Sequence, residues 1–168
     1  MPELPRAMRT EDRAADQAFN TNEYLYRRVP LEHWEERDDF IELDAIELPD
    51  MSVVRSKYAH PEWARFEGDK YKYSDWGVIG FLVGDIPTPL QHLGVFLCTF
   101  RAEHVPLKKN YPHSEVRAFE DGRHIDDFAG ELDHHLHMRW RELLSRRLRK
   151  FLAPREVVEV RQEAPQAA

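Results

Sequence analysis

The residues with the strongest potential for chemistry lie in one stretch, Phe100–Phe119, which reads FRAEHVPLKKNYPHSEVRAF. It holds His104, Asn110, His113 and Glu115 within a predicted strand–loop–strand unit. Two prolines restrict the backbone of the loop. Polar side chains on a stiff loop between two strands are typical of the edge of an active site. This stretch is therefore the first candidate site.

The two histidines are the candidates for acid–base catalysis in this stretch. His104 and His113 can act as general acid or base, or as metal ligands, because imidazole titrates near neutral pH. Glu115 follows His113 by two residues, so on a strand the two side chains share a face and the carboxylate can orient the ring. No complete named catalytic motif is present, and a hairpin loop with solvated polar residues is the competing interpretation.

Anion-binding candidates come from a second stretch, Met51–Tyr58, which reads MSVVRSKY. Arg55 and Lys57 offer cationic donors at the end of a predicted strand. We predict that they bind an anion together with Asn110 of the late loop. The alternative is that these bases form surface ion pairs with the acids that precede Met51, which contribute little to stability.

A loose three-strand pattern connects the two stretches. An arginine on one strand, a serine on a second and a glutamate on a third is the general pattern of ADP-ribosyltransferases. Arg27, Ser52 and Glu115 occur in that order. Three common residues in order also occur by chance in β-rich chains.

Four histidines cluster late in the chain, at His124, His134, His135 and His137. Positions three and four apart on a helix share a face, so His134 and His137 have spacing that suits a transition metal. The His-Glu-x-x-His pattern of metalloproteases is missing and no third ligand can be identified. A solvated helix face is the favoured interpretation, and we predict no metal ligands and no cofactor.

A basic segment, residues 139–150, is the candidate partner surface in an otherwise acidic chain. Arg146 and Arg149 are its predicted contact residues, and a protein partner suits them better than nucleic acid does. The other interpretation is that these bases compensate the helix dipole and pair with the acidic segment Glu32–Asp50 inside the fold.

The elements that must position these residues are mostly strands. Period-two patterns and short apolar runs predict strands at Tyr24–Val29, Phe40–Leu48, Met51–Arg55, Trp76–Val83, Val95–Glu103, Ser114–Phe119 and Glu156–Arg161. Apolar residues spaced by three and four then predict one amphipathic helix from Asp126 or Asp127 to Leu152. The fold class is therefore α+β, an antiparallel-rich curved sheet with one long C-terminal amphipathic helix packed on it.

Length and charge restrict the class of protein further. A chain of 168 residues with a net charge of -7 and a single cysteine favours one domain without disulfides. We predict a mobile N-terminal arm at residues 1–21, one domain at 22–161 and a disordered tail at 162–168. No segment approaches the roughly 20 apolar residues of a membrane-spanning helix, so we expect no membrane contact. With one thiol and no signal-peptide pattern at the N-terminus, we expect a cytoplasmic protein.

Three short blocks resemble a loose group of small bacterial proteins without an established activity. The blocks are Leu25–Arg28, Ser52–Tyr58 and His104–Leu107, the last followed by Asn110 and His113. The resemblance covers roughly residues 25–119. It implies that Arg55, His104, Asn110 and His113 form one site, and it implies no mechanism.

Two functions follow from these observations. The favoured one is a small bacterial accessory or binding module that recognises a protein partner or a nucleotide-like anion. The alternative is a small hydrolase or transferase that uses His104 or His113 with Glu115 and Arg55. The two separate on geometry, because catalysis requires these residues to meet in one concave pocket.

Overall fold

An eight-stranded antiparallel sheet, curled into a half-barrel, carries the candidate residues. The computed structural model describes residues 8–10, 13–36, 41–92, 96–126 and 131–155. The strands are β1 (Tyr24–Val29), β2 (Asp50–Arg55), β3 (Gly77–Leu82), β4 (Leu90–His92), β5 (Phe96–His104), β6 (His113–Glu120), β7 (Arg123–His124) and β8 (Arg149–Leu152). Their order is β4-β5-β6-β2-β1-β3-β8, and β7 pairs with β6.

The two faces of the sheet carry different clusters of apolar side chains, because successive residues of a strand point to opposite sides. On one face, which we call the core face, Leu25, Val53, Phe81 and Val116 join the main hydrophobic core. On the other face, which we call the site face, a smaller cluster forms from Tyr26, Val54, Ala64 and Val78. The face on which a candidate residue lies therefore decides what it can meet.

One α-helix, α1 (Glu131–Ser145), packs on the core face. Its buried residues Leu136, Trp140 and Leu144 are spaced by four, which places them on one stripe of the helix. Trp140 is completely buried, stacks on Phe100 at 5.3 Å between ring centroids, and donates its indole N–H to the Pro87 carbonyl at 3.0 Å. A curved antiparallel sheet with one helix confirms the α+β class.

The predicted end of the helix is wrong. The helix ends at Ser145, and residues Arg149–Leu152 form strand β8 instead. This segment pairs with the outer edge of β3, and the Phe151 ring packs edge-on against Tyr24 and Tyr26, each at 5.1 Å. Backbone pairing along an open sheet edge outweighs a helical spacing that is visible over only one turn.

The predicted strand at Phe40–Leu48 is also wrong. Within the described part of that segment, Leu43–Ala45 forms a 3-10 turn and only Ile41 makes a bridge, to Trp34. The segment covers the core as a loop, with Ile41, Ala45, Ile46 and Leu48 buried. Arginine side chains supply hydrogen bonds that a neighbouring strand would otherwise supply. Arg27 donates to the Ala45 carbonyl, and Arg141 donates to the Leu43 carbonyl.

The remaining predicted elements agree with the structure apart from their boundaries. Strands form at Tyr24–Val29, Asp50–Arg55, Gly77–Leu82, Phe96–His104 and His113–Glu120. The strand predicted at Glu156–Arg161 and the tail at 162–168 lie outside the described residues. Over the ranges that the structure describes, no helix is long and apolar enough to cross a membrane. The predicted domain boundaries stay predictions.

Trp140 gives the first testable prediction. Trp140→Ala removes the largest completely buried side chain of the core and should lower the free energy of unfolding by about 3–5 kcal/mol, measured by urea denaturation. Leu97→Ala is the control, because that side chain on the same sheet is 44% exposed and should change stability by about 0.5 kcal/mol or less. Equal losses in both variants would contradict the position of α1.

Candidate functional site

The register between β5 and β6 separates the two candidate histidines. The turn that joins the strands pairs Leu107 with Asn110, and continuing that register would place His104 opposite His113. The ladder instead pairs His104 with Ser114, whereas His113 pairs with Val54 of β2. A shift of one residue moves a side chain to the other face. His104 therefore points to the core face and His113 to the site face.

Arg55 also lies on the core face, where it pairs with Leu25 and is completely buried. Its Nε and Nη2 donate to the two carboxylate oxygens of Glu23, at 2.6 and 3.1 Å. Its Nη1 donates to the Asp16 carbonyl at 2.5 Å, and Nη2 also donates to the Ala18 carbonyl at 3.1 Å. A buried guanidinium with all three nitrogens bonded within the chain holds the fold together and offers nothing to a ligand.

His104 is held in the same core-face network. Its Nδ1 accepts a hydrogen bond from the Asp16 backbone N–H at 2.7 Å, so Nε2 carries the proton and donates to the Tyr111 carbonyl at 2.6 Å. Burial lowers the pKa of the ring, which stays neutral. Both nitrogens are occupied, and the ring has no lone pair for catalysis.

The segment around residue 17 forms the other half of this network. The Gln17 side-chain amide donates to the His104 carbonyl and accepts from the His104 N–H, both at 2.9 Å. The Asp16 carboxylate accepts from Lys57 Nζ at 2.8 Å and from the Tyr58 hydroxyl at 2.5 Å. These hydrogen bonds lower the pKa of Asp16 and occupy Lys57 as an anion donor. In this part of the predicted N-terminal arm, the chain lies against the sheet.

A cavity of about 580 Å³ opens on the site face where β1 and β2 separate. These strands pair at only two positions, Leu25 with Arg55 and Tyr26 with Val54. Beyond that point Arg27 spans the gap, with Nε donating to the Ala45 carbonyl at 2.7 Å and Nη1 to the Ser52 carbonyl at 2.9 Å. Burial lowers the pKa of Arg27 to about 10, so it remains charged at neutral pH.

The lining of this inter-strand cavity combines flat aromatic rings with polar groups. The aromatic side chains are Tyr26, Phe66, Tyr73 and Trp76. The polar groups that are not carboxylates are Arg27, Arg28, His33, Ser52, Asn110 and His113. Such a lining suits a small molecule with one planar part and one charged part.

Arg28 is the cation that the cavity offers to a ligand. Its guanidinium carbon lies 3.8 Å from the centre of the Tyr73 ring, and Nη1 donates one hydrogen bond to the Phe66 carbonyl at 3.2 Å. No ion pair with a carboxylate forms at Arg28 within the described ranges, in contrast to Arg27, which approaches Glu47 at 3.7 Å. Arg28 therefore has charge and donors left for an anion.

The carboxylates of the cavity each lie beside a basic side chain. Asp44 binds Arg141 at 2.8 Å, Glu67 binds Lys72 at 2.9 Å, and Asp50 lies 2.7 Å from His124. Glu47 is the partner of Arg27 already described. Glu67 also acts on Arg28 at longer range, but among the described residues no carboxylate forms an ion pair with Arg28.

Asn110 is set at the wall of the cavity by a tight turn. Leu107 and Asn110 exchange backbone hydrogen bonds of 2.9 and 3.1 Å, and Lys109 between them takes a positive φ of 63°. Asn110 is only 8% exposed, and its Oδ1 is buried without a hydrogen-bond partner. An unpaired buried amide oxygen is costly, so a ligand donor that bonded to Oδ1 would be favourable.

His113 and Ser52 form a hydrogen-bonded pair across β6 and β2. His113 Nδ1 lies 2.8 Å from the Val105 carbonyl, which can only accept, so Nδ1 carries the proton. Nε2 then presents a lone pair to the Ser52 hydroxyl at 3.3 Å. Burial lowers the pKa of His113, which keeps the ring neutral at pH 7. Sequence reasoning named both residues but did not pair them.

Glu115 lies near this pair but is bound elsewhere. It sits opposite Ser52 in the ladder, so Arg27, Ser52 and Glu115 do occupy three adjacent strands. Its carboxylate accepts from Arg117 Nη2 at 2.7 Å and Nε at 2.9 Å, and Glu115 is not part of the cavity lining. It contributes a negative charge beside His113 and does not orient the ring by a hydrogen bond.

Two groups of metal-ligand type occur in the described ranges. His33, Glu42 and Asp44 form one, and Asp50, His124 and Asp126 form the other. In the second, both His124 nitrogens face carboxylates, at 2.7 and 3.0 Å. In the first, His33 Nδ1 is buried without a partner while Asp44 is held by Arg141. The late histidines considered as metal ligands have separate surroundings, since His134 and His135 are exposed and His137 accepts from the Leu48 N–H at 3.2 Å.

The basic segment 139–150 is not one helical surface. Arg146 follows the end of α1 and Arg149 begins β8, and both are exposed. Arg141 binds Asp44, and Lys150 donates to the Glu35 carbonyl. Part of the basic charge is thus bound to the acidic segment, as the alternative interpretation held, and the protein partner stays a prediction.

The structure brings together Asn110, His113, Ser52 and Arg28 and leaves out His104, Arg55, Lys57, Glu115, Arg146 and Arg149. Comparison with protein-family models, with curated proteins and with solved structures finds no match to this chain. The resemblance to the small bacterial group therefore stays a prediction, and the site must be argued from its chemistry.

The Arg55–Glu23 pair gives a prediction about stability. Glu23→Gln keeps the shape but leaves a buried cation without its main counter-charge, and the free energy of unfolding should fall by roughly 3 kcal/mol. This is the lower end of the usual range, because the Asp16 carboxylate lies 3.6 Å from Nη1. Urea denaturation at pH 7 measures it. Glu103→Gln, which weakens a half-exposed pair with Arg117, should cost about 1 kcal/mol or less, and a loss as large as that of Glu23→Gln would contradict the assignment.

Proposed function

We propose that this protein is a binding module that takes a small nucleotide-like anion into the inter-strand cavity. The observation that carries the proposal is Arg28, whose guanidinium lies over the Tyr73 ring, bonds to the Phe66 carbonyl and the Tyr73 hydroxyl, and makes no ion pair with a carboxylate among the described residues. Arginine binds phosphate through paired N–H donors, which gives both affinity and orientation. Arg28 would hold the anionic part of the ligand.

The walls of the cavity fit the other half of such a ligand. Tyr73 and Trp76 are partly exposed and offer rings on which a planar base can stack, and base–aromatic stacking contributes about 1–3 kcal/mol per base. Asn110 and His33 each hold a buried polar atom without a partner beside the same space. A base with N–H donors and ring acceptors has the groups that pair with such atoms, whereas bare phosphate has no planar part for the aromatic rings.

The expected measurement is a binding titration by calorimetry with inorganic phosphate, AMP, ADP and NAD⁺. The nucleotides should bind more tightly than phosphate, because only they use the aromatic walls. Arg28→Ala should weaken nucleotide binding by about 10- to 100-fold, since a charge-assisted hydrogen bond is worth about 1.5–3 kcal/mol. Arg101→Ala is the matched control, an arginine on β5 with a side chain 63% exposed and outside the cavity, and it should bind as the parent chain does.

The outcomes separate the binding module from its alternatives. Equal affinity for phosphate and nucleotides, or unchanged binding in Arg28→Ala, would overturn the proposal. Release of nicotinamide from NAD⁺ that disappears in Glu115→Gln would favour a transferase that uses Arg27, Ser52 and Glu115, which lie on three adjacent strands. We expect binding without that release, because Arg117 occupies the Glu115 carboxylate.

A further inference from the structure

We propose that Ser52 is an activated nucleophile, with His113 as its general base, in a site that cleaves an ester bearing an anionic group. Ser52 is exposed and lines the cavity, whereas His113 behind it is only 8% exposed. An accessible hydroxyl beside a buried, neutral imidazole is the arrangement that nucleophilic catalysis requires. The inference rests on the proposed function in one respect, because the cavity must admit the substrate.

The orientation of the imidazole is fixed by the backbone. The Val105 carbonyl accepts the Nδ1 proton at 2.8 Å, which leaves the Nε2 lone pair facing Ser52 Oγ at 3.3 Å. A nucleophile–base contact and a base–orienting group are two of the geometric criteria for such a site. Here a peptide carbonyl takes the place that a carboxylate holds in the familiar triads.

The environment keeps His113 neutral and therefore basic. Burial lowers its pKa, and the guanidinium groups of Arg28 on β1 and Arg117 on β6 act in the same direction. The carboxylate of Glu115 and the hydrogen bond to Val105 raise the pKa and oppose that effect only in part. The base should lose its activity only when the pH falls below the ordinary range of histidine, near 6.5.

The reaction balances with water as the second reactant. Ser52 Oγ attacks the acyl carbon and forms a C–O bond while its proton moves to Nε2 of His113. The ester C–O bond breaks, and the leaving alcohol takes that proton. Water then attacks the acyl carbon, gives a proton to Nε2, and the Ser52–acyl bond breaks as Oγ regains a proton. Arg28 in the same cavity would hold the anionic group of the substrate.

The test is covalent labelling of the full chain with diisopropyl fluorophosphate, which forms a Ser52 O–P bond and releases fluoride. Intact mass should show one diisopropylphosphoryl group, and peptide mapping should place it on Ser52. Ser52→Ala should abolish the label. Ser145→Ala, which removes a hydroxyl bonded to the Glu142 carbonyl at the end of α1, should be labelled as fast as the parent chain.

His113 is tested in two ways, because a variant of a buried histidine can fail to fold. His113→Gln, with folding checked by circular dichroism, should be labelled about 100-fold more slowly or worse. In the parent chain, the labelling rate should be constant from pH 8 to 7 and fall in proportion to the neutral imidazole below its pKa. No label on Ser52, a tyrosine label that survives Ser52→Ala, or a rate without this pH dependence would overturn the inference.

The two proposals fail separately. Ser52→Ala should keep the calorimetric nucleotide binding, because Arg28 and the aromatic walls are intact. Labelling of Ser52 in a chain that binds no nucleotide would overturn the proposed function and leave the nucleophile standing. Nucleotide binding without labelling of Ser52 would overturn the inference about the nucleophile and leave the proposed function standing.

Discussion

The structure depends on a charge that has no contact with water. Arg55 sits at one end of the short β1–β2 pair, and Glu23 immediately before β1 neutralises it. A buried guanidinium must have its hydrogen bonds made within the chain, so carbonyls of Asp16 and Ala18 are drawn against the sheet. The same charge therefore holds residues 16–18 against the sheet and fixes the strand pair at that end.

Because the pair is clamped at one end, it can open at the other. Arg27 bridges the opening with hydrogen bonds to Ala45 and Ser52, and neither backbone carbonyl is left bare. The result is an opening in the middle of a sheet rather than at its rim. A cavity in that position is lined by charged side chains and aromatic rings together, a combination that small-molecule sites commonly have.

The sequence predicted elements with strong periodicity and failed where two periods compete over a few residues. Strands rich in β-branched and aromatic residues were found, whereas Arg149–Leu152 was assigned to the helix because Leu148, Phe151 and Leu152 fit both spacings. For the site, Asn110 and His113 could be named from loop chemistry. The prediction that His104 and Arg55 belong to the same site was wrong, because the face on which a side chain lies depends on the strand register. A single-residue shift beside the Leu107–Asn110 turn places His104 on the other face. The contacts of residues 16–18 had no sequence signal, since the first 21 residues show no period.

The Gln17 amide binds the backbone at the open edge of β5. β4 covers β5 only from Phe96 to Cys98, which leaves the backbone of the later part of β5 open on that side. The Thr88 hydroxyl accepts from the Phe100 N–H, and the Gln17 amide takes both backbone groups of His104, as one residue of a neighbouring strand would. An open edge is a template for pairing with a second chain. The Thr88 and Gln17 side chains thus make hydrogen bonds that a neighbouring strand would make. They leave fewer backbone groups on this edge for pairing with a second chain.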